Sequence, residues 1–233
     1  MFISFEGPEG AGKSTQVQRL AASLRADGRT VCIVREPGST AIGERIRCLL
    51  LTPTVQFGQE PEADVTDRAE VLLFLAARAQ LVDEVVKPAL ERGDVVLADR
   101  FSDSTRAYQI SGRGLPGEQI NQIIGFATDG LEPDLTFLLD LDATAGLSRK
   151  GGSGDRLERQ DLAFHERVRT AYRDLQRQNA QRMTLIDALR PPEEIAARIR
   201  AIVGARLLDP GLRDIPVATE SSSRLAQEGD SGL

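Results

Sequence analysis

The chain has 233 residues and a formal net charge of −6, with 41% hydrophobic and 27% charged residues. These values are typical of one globular domain with small appendages. The acidic balance argues against a protein built to bind nucleic acid polymers, which usually carries a basic surface. The sequence has neither a signal-peptide pattern nor an apolar stretch of membrane-spanning length, so we expect no membrane partner.

The cysteine and histidine content excludes several kinds of site. Cys32 and Cys48 show no metal-binding spacing and do not suggest a disulfide framework, which fits a reducing cytoplasm. The single histidine, His165, is interpreted as a surface residue. A histidine-based triad or metal centre is therefore not expected.

Apolar runs and helical patterns alternate along the chain. Five apolar runs predict buried strands: FISF at 2–5, TVCIV at 30–34, DVVLA at 94–98, LTFLL at 135–139 and TLI at 184–186. Helix-patterned stretches occupy 14–27, 41–51, 66–92, 116–128, 160–182 and 192–207. This alternation indicates the α/β class, a three-layer fold in which helices cover both faces of a five-stranded parallel sheet. Right-handed crossovers then bring the carboxyl ends of the strands, and hence the ligands, to one edge.

The stretch GPEGAGKST, residues 7–15, matches the phosphate-loop pattern G-x-x-x-x-G-K-[ST]. It lies between the first predicted strand and the first predicted helix, and this arrangement directs helix N-terminal amides at a phosphate. Lys13 is expected to reach the β- and γ-phosphates, and the Ser14 hydroxyl to bind Mg²⁺. The predicted ATP-binding residues are Gly7, Pro8, Glu9, Gly10, Ala11, Gly12, Lys13, Ser14 and Thr15.

The predicted strand DVVLAD ends in Asp99, which is followed by Arg100. An acid at this position can take the Walker-B role and hold Mg²⁺ directly or through water, so Ser14 and Asp99 are the predicted metal residues. Arg100 can bind a phosphate with two parallel N–H donors. The alternative is a simple Asp–Arg pair at the protein surface.

Two other segments offer candidate binding residues. REPGST, residues 35–40, follows the second predicted strand, so Arg35 emerges at the same edge as Asp99. In LLFLAARAQL, Phe74 and Arg78 lie four residues apart on one helical face, where a ring and a guanidinium could bind a planar base. Periodicity alone favours the alternative, in which Phe74 is a core residue and Arg78 a solvated charge.

A glycine-rich segment, KGGSGD at 150–155, is flanked by Arg149, Arg156 and Arg159. It is either a plain linker or part of a basic lid, over about residues 147–160, that closes on the triphosphate. The last segment, 209–233, is rich in Asp, Glu, Ser, Gly and Pro and is predicted to be a disordered acidic tail. The predicted catalytic domain is therefore 1–208.

Taken together, these features predict a kinase whose acceptor is a small phosphorylated molecule. A triphosphate cradle, a metal-binding acid and several arginines meet at one edge, and so many cations suggest a second anion. No general base is needed if the acceptor is already an ionised phosphate, because phosphoryl transfer depends mainly on positioning and charge stabilisation.

Five sequence blocks resemble the thymidylate kinase family: EGPEGAGKST, REPGST, LLFLAARAQL, DRFSDSTRAYQ and DRLERQDLAFHERVRTAY. REPG and DRF-x-x-ST-x-AYQ are more specific than the phosphate loop alone. The resemblance implies a P-loop nucleoside monophosphate kinase that transfers the γ-phosphoryl group of ATP to dTMP, giving dTDP and ADP in dTTP synthesis. It also implies Mg²⁺ as the cofactor and a homodimer.

The resemblance further implies roles for single residues. Phe74 stacks on thymine and Arg78 hydrogen-bonds the edge of the base, in place of the interpretation that periodicity favours. Arg100 holds the dTMP phosphate, with Arg35 or Arg45 nearby. The implied dTMP-binding residues are Glu9, Arg35, Phe74, Arg78, Arg100, Ser104, Thr105, Tyr108 and Gln109.

Three details of the acceptor site follow from the same resemblance. Tyr108 packs under the deoxyribose and Tyr172 closes over it, while Ser104, Thr105 and Gln109 face the base. Pro37 corresponds to the family's cis-proline. Glu9 directs its side chain away from the triphosphate, where it would meet like charge, and accepts from the 3′-hydroxyl or pairs with an arginine.

The implied catalytic residues are Lys13, Glu9, Arg100 and an arginine of the lid. This chain has Gly10 in the phosphate loop, where some family members carry a catalytic arginine, and so resembles the subtype whose lid supplies that cation. Arg149, Arg156 and Arg159 are the candidates. REPGST departs from the more usual REPGGT at Ser39, which we expect to be tolerated.

Two other functions are weighed against this one. A kinase of the same fold could phosphorylate another nucleotide or a non-nucleotide acceptor. A nucleotide-hydrolysing switch would signal through partners, but the sequence lacks a guanine-recognition NKxD motif, and the arginine-rich acceptor edge would have no purpose.

Overall fold

The computed structural model describes residues 1–52, 65–150 and 155–208, apart from the side chain of Lys150. Five strands form one parallel sheet in the order β2-β3-β1-β4-β5. They are β1 (Phe2–Glu6), β2 (Val31–Arg35), β3 (Val95–Asp99), β4 (Leu135–Asp140) and β5 (Met183–Asp187). Each strand lies on one of the five predicted apolar runs, so the parallel α/β sheet is confirmed. The predicted tail, 209–233, and the segment 151–154 of the glycine-rich stretch lie outside the described residues.

Nine helices surround the sheet in the described part of the chain. They are α1 (Lys13–Ala26), α2 (Ala41–Leu51), α3 (Asp67–Leu81), α4 (Lys87–Glu91), α5 (Ser102–Thr105), α6 (Gly117–Thr128), α7 (Ala143–Lys150), α8 (Leu162–Gln178) and α9 (Pro192–Leu208). A π-helical segment, Val82–Val86, joins α3 to α4, and another, Arg106–Gly112, continues α5. Over these same residues, none of the helices is long and apolar enough to cross a lipid bilayer.

The hydrophobic pattern of the sequence does not predict two of the helices, α5 and α7. The residues of α5 are polar yet buried, so no apolar face marks this helix in the sequence. Helix α7 is short, and its start is marked instead by Asp142, whose Oδ1 accepts hydrogen bonds from the amides of Thr144 and Ala145.

Alternate residues of β1 pack on opposite faces of the sheet. Ile3 and Phe5 belong to the apolar cluster that contains residues of α1 and α9. Phe2 belongs to the cluster on the other face, which is built from the end of α3, the following π-helical segment and α4. The sheet is therefore covered by helices on both faces, as the continuous apolar runs predict.

The carboxyl ends of the strands meet at one edge of the sheet. The parallel register pairs Phe5 with Asp99 and Arg35 with Asp99. Three chain reversals follow directly: the phosphate loop after β1, a cis Glu36–Pro37 peptide after β2, and Arg100 after β3 with a φ of 75°. The cis-proline implied by the family resemblance is thus confirmed, and these reversals lead the chain into the site.

Candidate active site

The phosphate loop curls tightly between β1 and α1. Gly7 has a φ of 133°, and a Cβ there would lie 2.3 Å from the carbonyl oxygen of Leu139. Gly12, with a φ of 88°, caps α1, so the helix begins at Lys13 and directs its first amides into the loop. Lys13 Nζ donates to the carbonyl oxygens of Gly7, at 3.0 Å, and Pro8, at 2.8 Å.

The charge of Lys13 is influenced by its burial. Burial, and then the nearby positive charge of Arg100, lower the pKa of Lys13 to about 8. An anionic phosphate in the loop would favour the charged ammonium and raise this pKa again. The loop is therefore built to receive negative charge.

A close glycine contact joins the phosphate loop to α7. A Cβ on Gly10 would lie 2.2 Å from the carbonyl oxygen of Gly146, and a Cβ on Gly146 would lie 2.3 Å from the carbonyl oxygen of Glu9. Gly10 also has a φ of 70°, in the left-handed region. Only glycine at both positions allows the loop and α7 to approach this closely.

Arg100 is the central side chain of the other half of the site. Its Nη1 donates to the carbonyl oxygen of Gly7 and to the hydroxyls of Ser104 and Tyr172, each at 3.1 Å. Its Nη2 donates to Glu9 Oε1 at 2.8 Å and to Tyr108 OH at 3.2 Å. The guanidinium thus links the phosphate loop to the buried hydroxyls beneath it.

Glu9 turns its side chain away from the loop and toward Arg100. Its second carboxylate oxygen accepts a hydrogen bond from Tyr108 OH. Burial raises the pKa of Glu9, but the positive charges of Arg100 and Lys13 outweigh it, so the pKa lies below its usual range. Glu9 is therefore an ionised carboxylate paired with an arginine, one of the two roles that the resemblance implies for it.

A cavity of about 420 Å³ extends from the phosphate loop past Arg100, and its size is typical of a site for a small ligand. All nine predicted dTMP-binding residues line it: Glu9, Arg35, Phe74, Arg78, Arg100, Ser104, Thr105, Tyr108 and Gln109. Six predicted ATP-binding residues also line it: Glu9, Gly10, Gly12, Lys13, Ser14 and Thr15. Gly7, Pro8 and Ala11 complete the loop behind them.

Arg78 lines the cavity as a buried side chain and is not a solvated charge on the helix surface. It is only 1% exposed, and its guanidinium pairs with Glu36 at 2.6 Å. It also donates to Thr105 Oγ1 at 3.0 Å and to the carbonyl oxygen of Phe101 at 3.1 Å. Because these contacts occupy most of its donors, Arg78 has little freedom to move and at most one N–H left for a ligand.

Ser14 and Asp99 lie together where a cation would be held. Ser14 Oγ donates a hydrogen bond to Asp99 Oδ2, and both residues line the cavity. A hydroxyl and a carboxylate are hard oxygen ligands of the kind that Mg²⁺ prefers. The donor set therefore fits the predicted metal.

The arginines of β2 and α2 are placed differently from one another. Arg35 lines the cavity and pairs with Glu44 at 3.0 Å. Arg45 is exposed, whereas Arg47 lines the cavity and donates to the carbonyl oxygen of Pro37 at 2.9 Å. Of the two arginines proposed beside Arg100, Arg35 is therefore the one that reaches the cavity, and Arg47 is an additional cation that sequence reasoning missed.

The lid candidates point to different ends of the site. Arg149 lines the cavity, and its Nη1 donates to the carbonyl oxygen of Ala188 at 3.2 Å and to that of Gly10 at 3.4 Å. Arg156 instead donates to Glu70 and to the carbonyl oxygen of Leu50. Arg149 therefore lies beside the phosphate loop, while Arg156 is held on the acceptor side.

Two expectations are corrected by the packing of α8. His165 is 2% exposed, not a surface residue, and its Nδ1 lies 4.0 Å from Glu9 Oε2. Tyr172 is 1% exposed and does not line the cavity formed by the described residues. Its hydroxyl lies below Arg100 instead of closing over a sugar, because α8 packs this ring against Tyr108.

The chain is similar to known proteins over most of its length. The family model for thymidylate kinase matches residues 5–199. A thymidylate kinase from Deinococcus radiodurans is 50% identical over 208 residues, which cover 88% of this chain and 97% of that protein. One from Desulfovibrio desulfuricans is 47% identical over 216 residues, covering 89% and 96%.

A solved structure agrees with these relatives. The crystal structure of thymidylate kinase from Ehrlichia chaffeensis matches with a TM-score of 0.68 and 30% identity, covering 87% of this chain and 98% of that one. The fold is therefore that of the P-loop NTPases. The chain belongs to the thymidylate kinase family.

Proposed function

We propose that this enzyme transfers the γ-phosphoryl group of ATP to the phosphate of dTMP, giving dTDP and ADP. The observation that carries the proposal is a cavity shared by the phosphate loop, the partly buried Arg100 and the aromatic ring of Phe74. A triphosphate in the loop and a monophosphate at Arg100 would meet between Lys13 and Arg100. This arrangement supports direct transfer between two phosphates.

The donor half acts by holding charge in place. The loop amides and Lys13 would bind the β- and γ-phosphates and stabilise the negative charge that spreads over the transferred group. Ser14 and Asp99 would hold Mg²⁺, which neutralises phosphate charge when it is bound. Arg149 is the better candidate for the lid cation, because it lines the cavity beside Gly10 whereas Arg156 is bonded to Glu70.

The acceptor half positions the nucleotide. Arg100 would bind the dTMP phosphate while Glu9 and Tyr108 hold the guanidinium, and Phe74 would stack on the base. The buried Arg78 and its partner Thr105 would present a fixed hydrogen-bonding edge to thymine. Because the acceptor phosphate is already ionised at neutral pH, no general base is required.

The test is ADP release from Mg·ATP with dTMP, dUMP, dCMP, dAMP and dGMP each offered as acceptor. We expect strong preference for dTMP. Turnover with another acceptor would retain the kinase mechanism and overturn the assignment of the base site. Slow hydrolysis that no nucleotide accelerates would overturn the kinase proposal.

We also propose a homodimer in the cytoplasm. Helices α3 and α6 pack together, and each exposes a large apolar side chain, Leu72 at 54% and Phe126 at 88%; a second copy would cover these side chains. Cys32 and Cys48 are free thiols, as is usual in a reducing compartment. Light scattering of the purified enzyme should give twice the 25.3 kDa mass of the chain, and a monomer would contradict the dimer.

A further inference from the structure

Glu6 is a fully buried carboxyl group that the proposed mechanism does not use. It is the last residue of β1, directly before the phosphate loop, and is 0% exposed. Its Oε1 accepts a hydrogen bond from the Phe101 amide at 2.7 Å. Its Oε2 accepts from Ser104 Oγ at 2.6 Å and from Tyr172 OH at 2.9 Å.

Each of these three partners is also connected to Arg100. The hydroxyls of Ser104 and Tyr172 both accept from Arg100 Nη1 at 3.1 Å. The Phe101 amide belongs to the peptide that follows Arg100, whose backbone is held in the left-handed region at a φ of 75°. Glu6 is therefore connected to Arg100 indirectly, through the hydroxyls of Ser104 and Tyr172 and through the peptide that joins Arg100 to Phe101.

We propose that Glu6 is a positioning residue for the acceptor phosphate, whose carboxylate orients Arg100 through Ser104, Tyr172 and the Phe101 amide. The inference rests on the proposed function, in which Arg100 binds that phosphate. Glu6 does not touch the substrate in this proposal. It acts only by fixing the guanidinium that does.

The three hydrogen bonds that Glu6 accepts favour an ionised carboxylate. Arg100 has donors only, and each hydroxyl has one proton to donate. When Glu6 is ionised, Ser104 and Tyr172 can each donate their hydroxyl proton to the carboxylate. Both hydroxyl oxygens then accept from Arg100. A protonated Glu6 adds a donor, so one hydroxyl must turn its proton toward the other, which lies 2.8 Å away, and Arg100 loses the nearby negative charge of the carboxylate.

The surroundings of Glu6 place this change near neutral pH. Burial, and then the negative charge of Asp103 on α5, raise the pKa of Glu6 to about 7, although Ser104, Arg100 and the Phe101 amide act in the opposite direction. Among the described residues, Lys13 on α1 and Tyr172 on α8 also interact with the charge of Glu6. Arg100 should therefore hold the acceptor best above pH 7 and less well below it.

The test compares Glu6→Gln with the wild-type enzyme between pH 5.5 and 9. Glutamine keeps the shape of the side chain but replaces one carboxylate oxygen by an NH₂ group, which donates hydrogen bonds and does not accept them. We expect the KM for dTMP to rise about tenfold at pH 8, the cost of about one weakened hydrogen bond to a charged group. The KM for ATP should stay within about twofold, since the loop contacts remain. The wild-type rise in KM below pH 7 should be reduced in the variant.

The pH profile separates Glu6 from the substrate, whose own phosphate titrates near pH 6. That titration is the same for both enzymes, so the difference between the two profiles reports Glu6 alone. Tyr172→Phe and Ser104→Ala serve as further probes of the connection. Each should raise the KM for dTMP in the wild-type background, and raise it less when Glu6 is already glutamine.

Protein stability distinguishes positioning from support of the fold. The pKa of Glu6 is raised from 4.5 to about 7, so its contribution to stability is present below pH 4.5 and is lost as the pH rises through 7. Glu6→Gln should therefore keep or increase the melting temperature at pH 8 while it weakens dTMP binding. Should the glutamine variant fail to fold, the two hydroxyl variants carry the test through the pH profile: each removes one connection to Glu6, so the rise in the KM for dTMP below pH 7 should be smaller than in the wild-type enzyme, and an unchanged rise would overturn the inference.

Some results would overturn the inference. A wild-type KM and pH profile in Glu6→Gln would do so, as would fully additive effects of Glu6→Gln and Tyr172→Phe. Failure of the proposed function looks different, because the wild-type enzyme itself would then not phosphorylate dTMP. In that case the same comparison is made with the nucleoside monophosphate that the enzyme accepts.

Discussion

The two ends of the cavity are built in different ways. The donor end is one continuous loop, Gly7–Thr15, in which backbone amides, glycines and one lysine do most of the binding. The acceptor end is assembled from side chains of separate segments: Arg100 is bonded to Glu9 and Tyr108, and the buried Arg78 is bonded to Thr105 and Glu36. A loop of backbone groups is sensitive to shape, whereas a buried charge network is sensitive to the loss of any partner.

Lys13→Ala tests the donor end and should have the largest effect. Removing a charge that stabilises the transferred phosphoryl group should lower kcat about 10²–10³-fold. The KM for dTMP should change little, because Arg100 and its partners remain. Steady-state kinetics with the folded variant measures both constants. A kcat near the wild-type value would remove Lys13 from the catalytic role.

Arg100→Ala tests the acceptor end. Truncating one partner of a largely buried charge pair costs about 2–5 kcal/mol, so we expect the KM for dTMP to rise about 100-fold or more. Glu9 is then left without its arginine, which should also reduce stability. Arg19→Ala is the matched control, since Arg19 forms a partly exposed pair with Glu193 away from the cavity. Equal effects of the two variants would contradict the phosphate role.

Phe74→Leu sharpens the comparison within the acceptor end. Loss of stacking on a base costs about 1–3 kcal/mol, so the KM for dTMP should rise about tenfold. The KM for ATP provides the internal control, because the phosphate loop is not altered. An equal change in both KM values would indicate general damage to the fold rather than loss of a base contact.

Gly10→Ala and Gly12→Ala probe how the donor loop depends on close packing. Both glycines have a positive φ, but a Cβ at Gly12 meets nothing within 4 Å, whereas one at Gly10 would lie 2.2 Å from Gly146 O. We expect Gly12→Ala to lower the melting temperature by about 2–4 °C through backbone strain alone, and Gly10→Ala by at least twice as much. Equal losses would show that the contact with α7 contributes little.

The sequence predicts the donor end better than the acceptor end for a physical reason. The phosphate loop is a local pattern, and the five apolar runs mark the strands that carry it to the sheet edge. Glu6 stands in the sequence as an acid at the end of an apolar strand, and its partners Ser104 and Tyr172 are 98 and 166 residues away. Such contacts depend on tertiary packing, which periodicity does not report.

The errors follow the same division. The spacing of Phe74 and Arg78 is typical of core residues, and only the family resemblance predicts the cavity position that the structure shows for both. The sequence does not reveal that His165 is buried, because the start of α8 is covered on two sides and both Phe164 and His165 are buried. Arg47 was missed because its neighbour Arg45 has the same chemistry and only the rotation of α2 distinguishes them.

The central position of β1 determines the order in which the protein can assemble. Phe2 pairs with Val96 on one side, and Ile3 pairs with Leu135 on the other. During synthesis both edges of β1 are therefore covered only after β3 and then β4 have been made. Pairing between strands that are distant in sequence is slow. A nascent chain that stops before β4 presents an open strand edge on which another copy can add. The strand that leads into the active site is thus the first to be made and among the last to be enclosed.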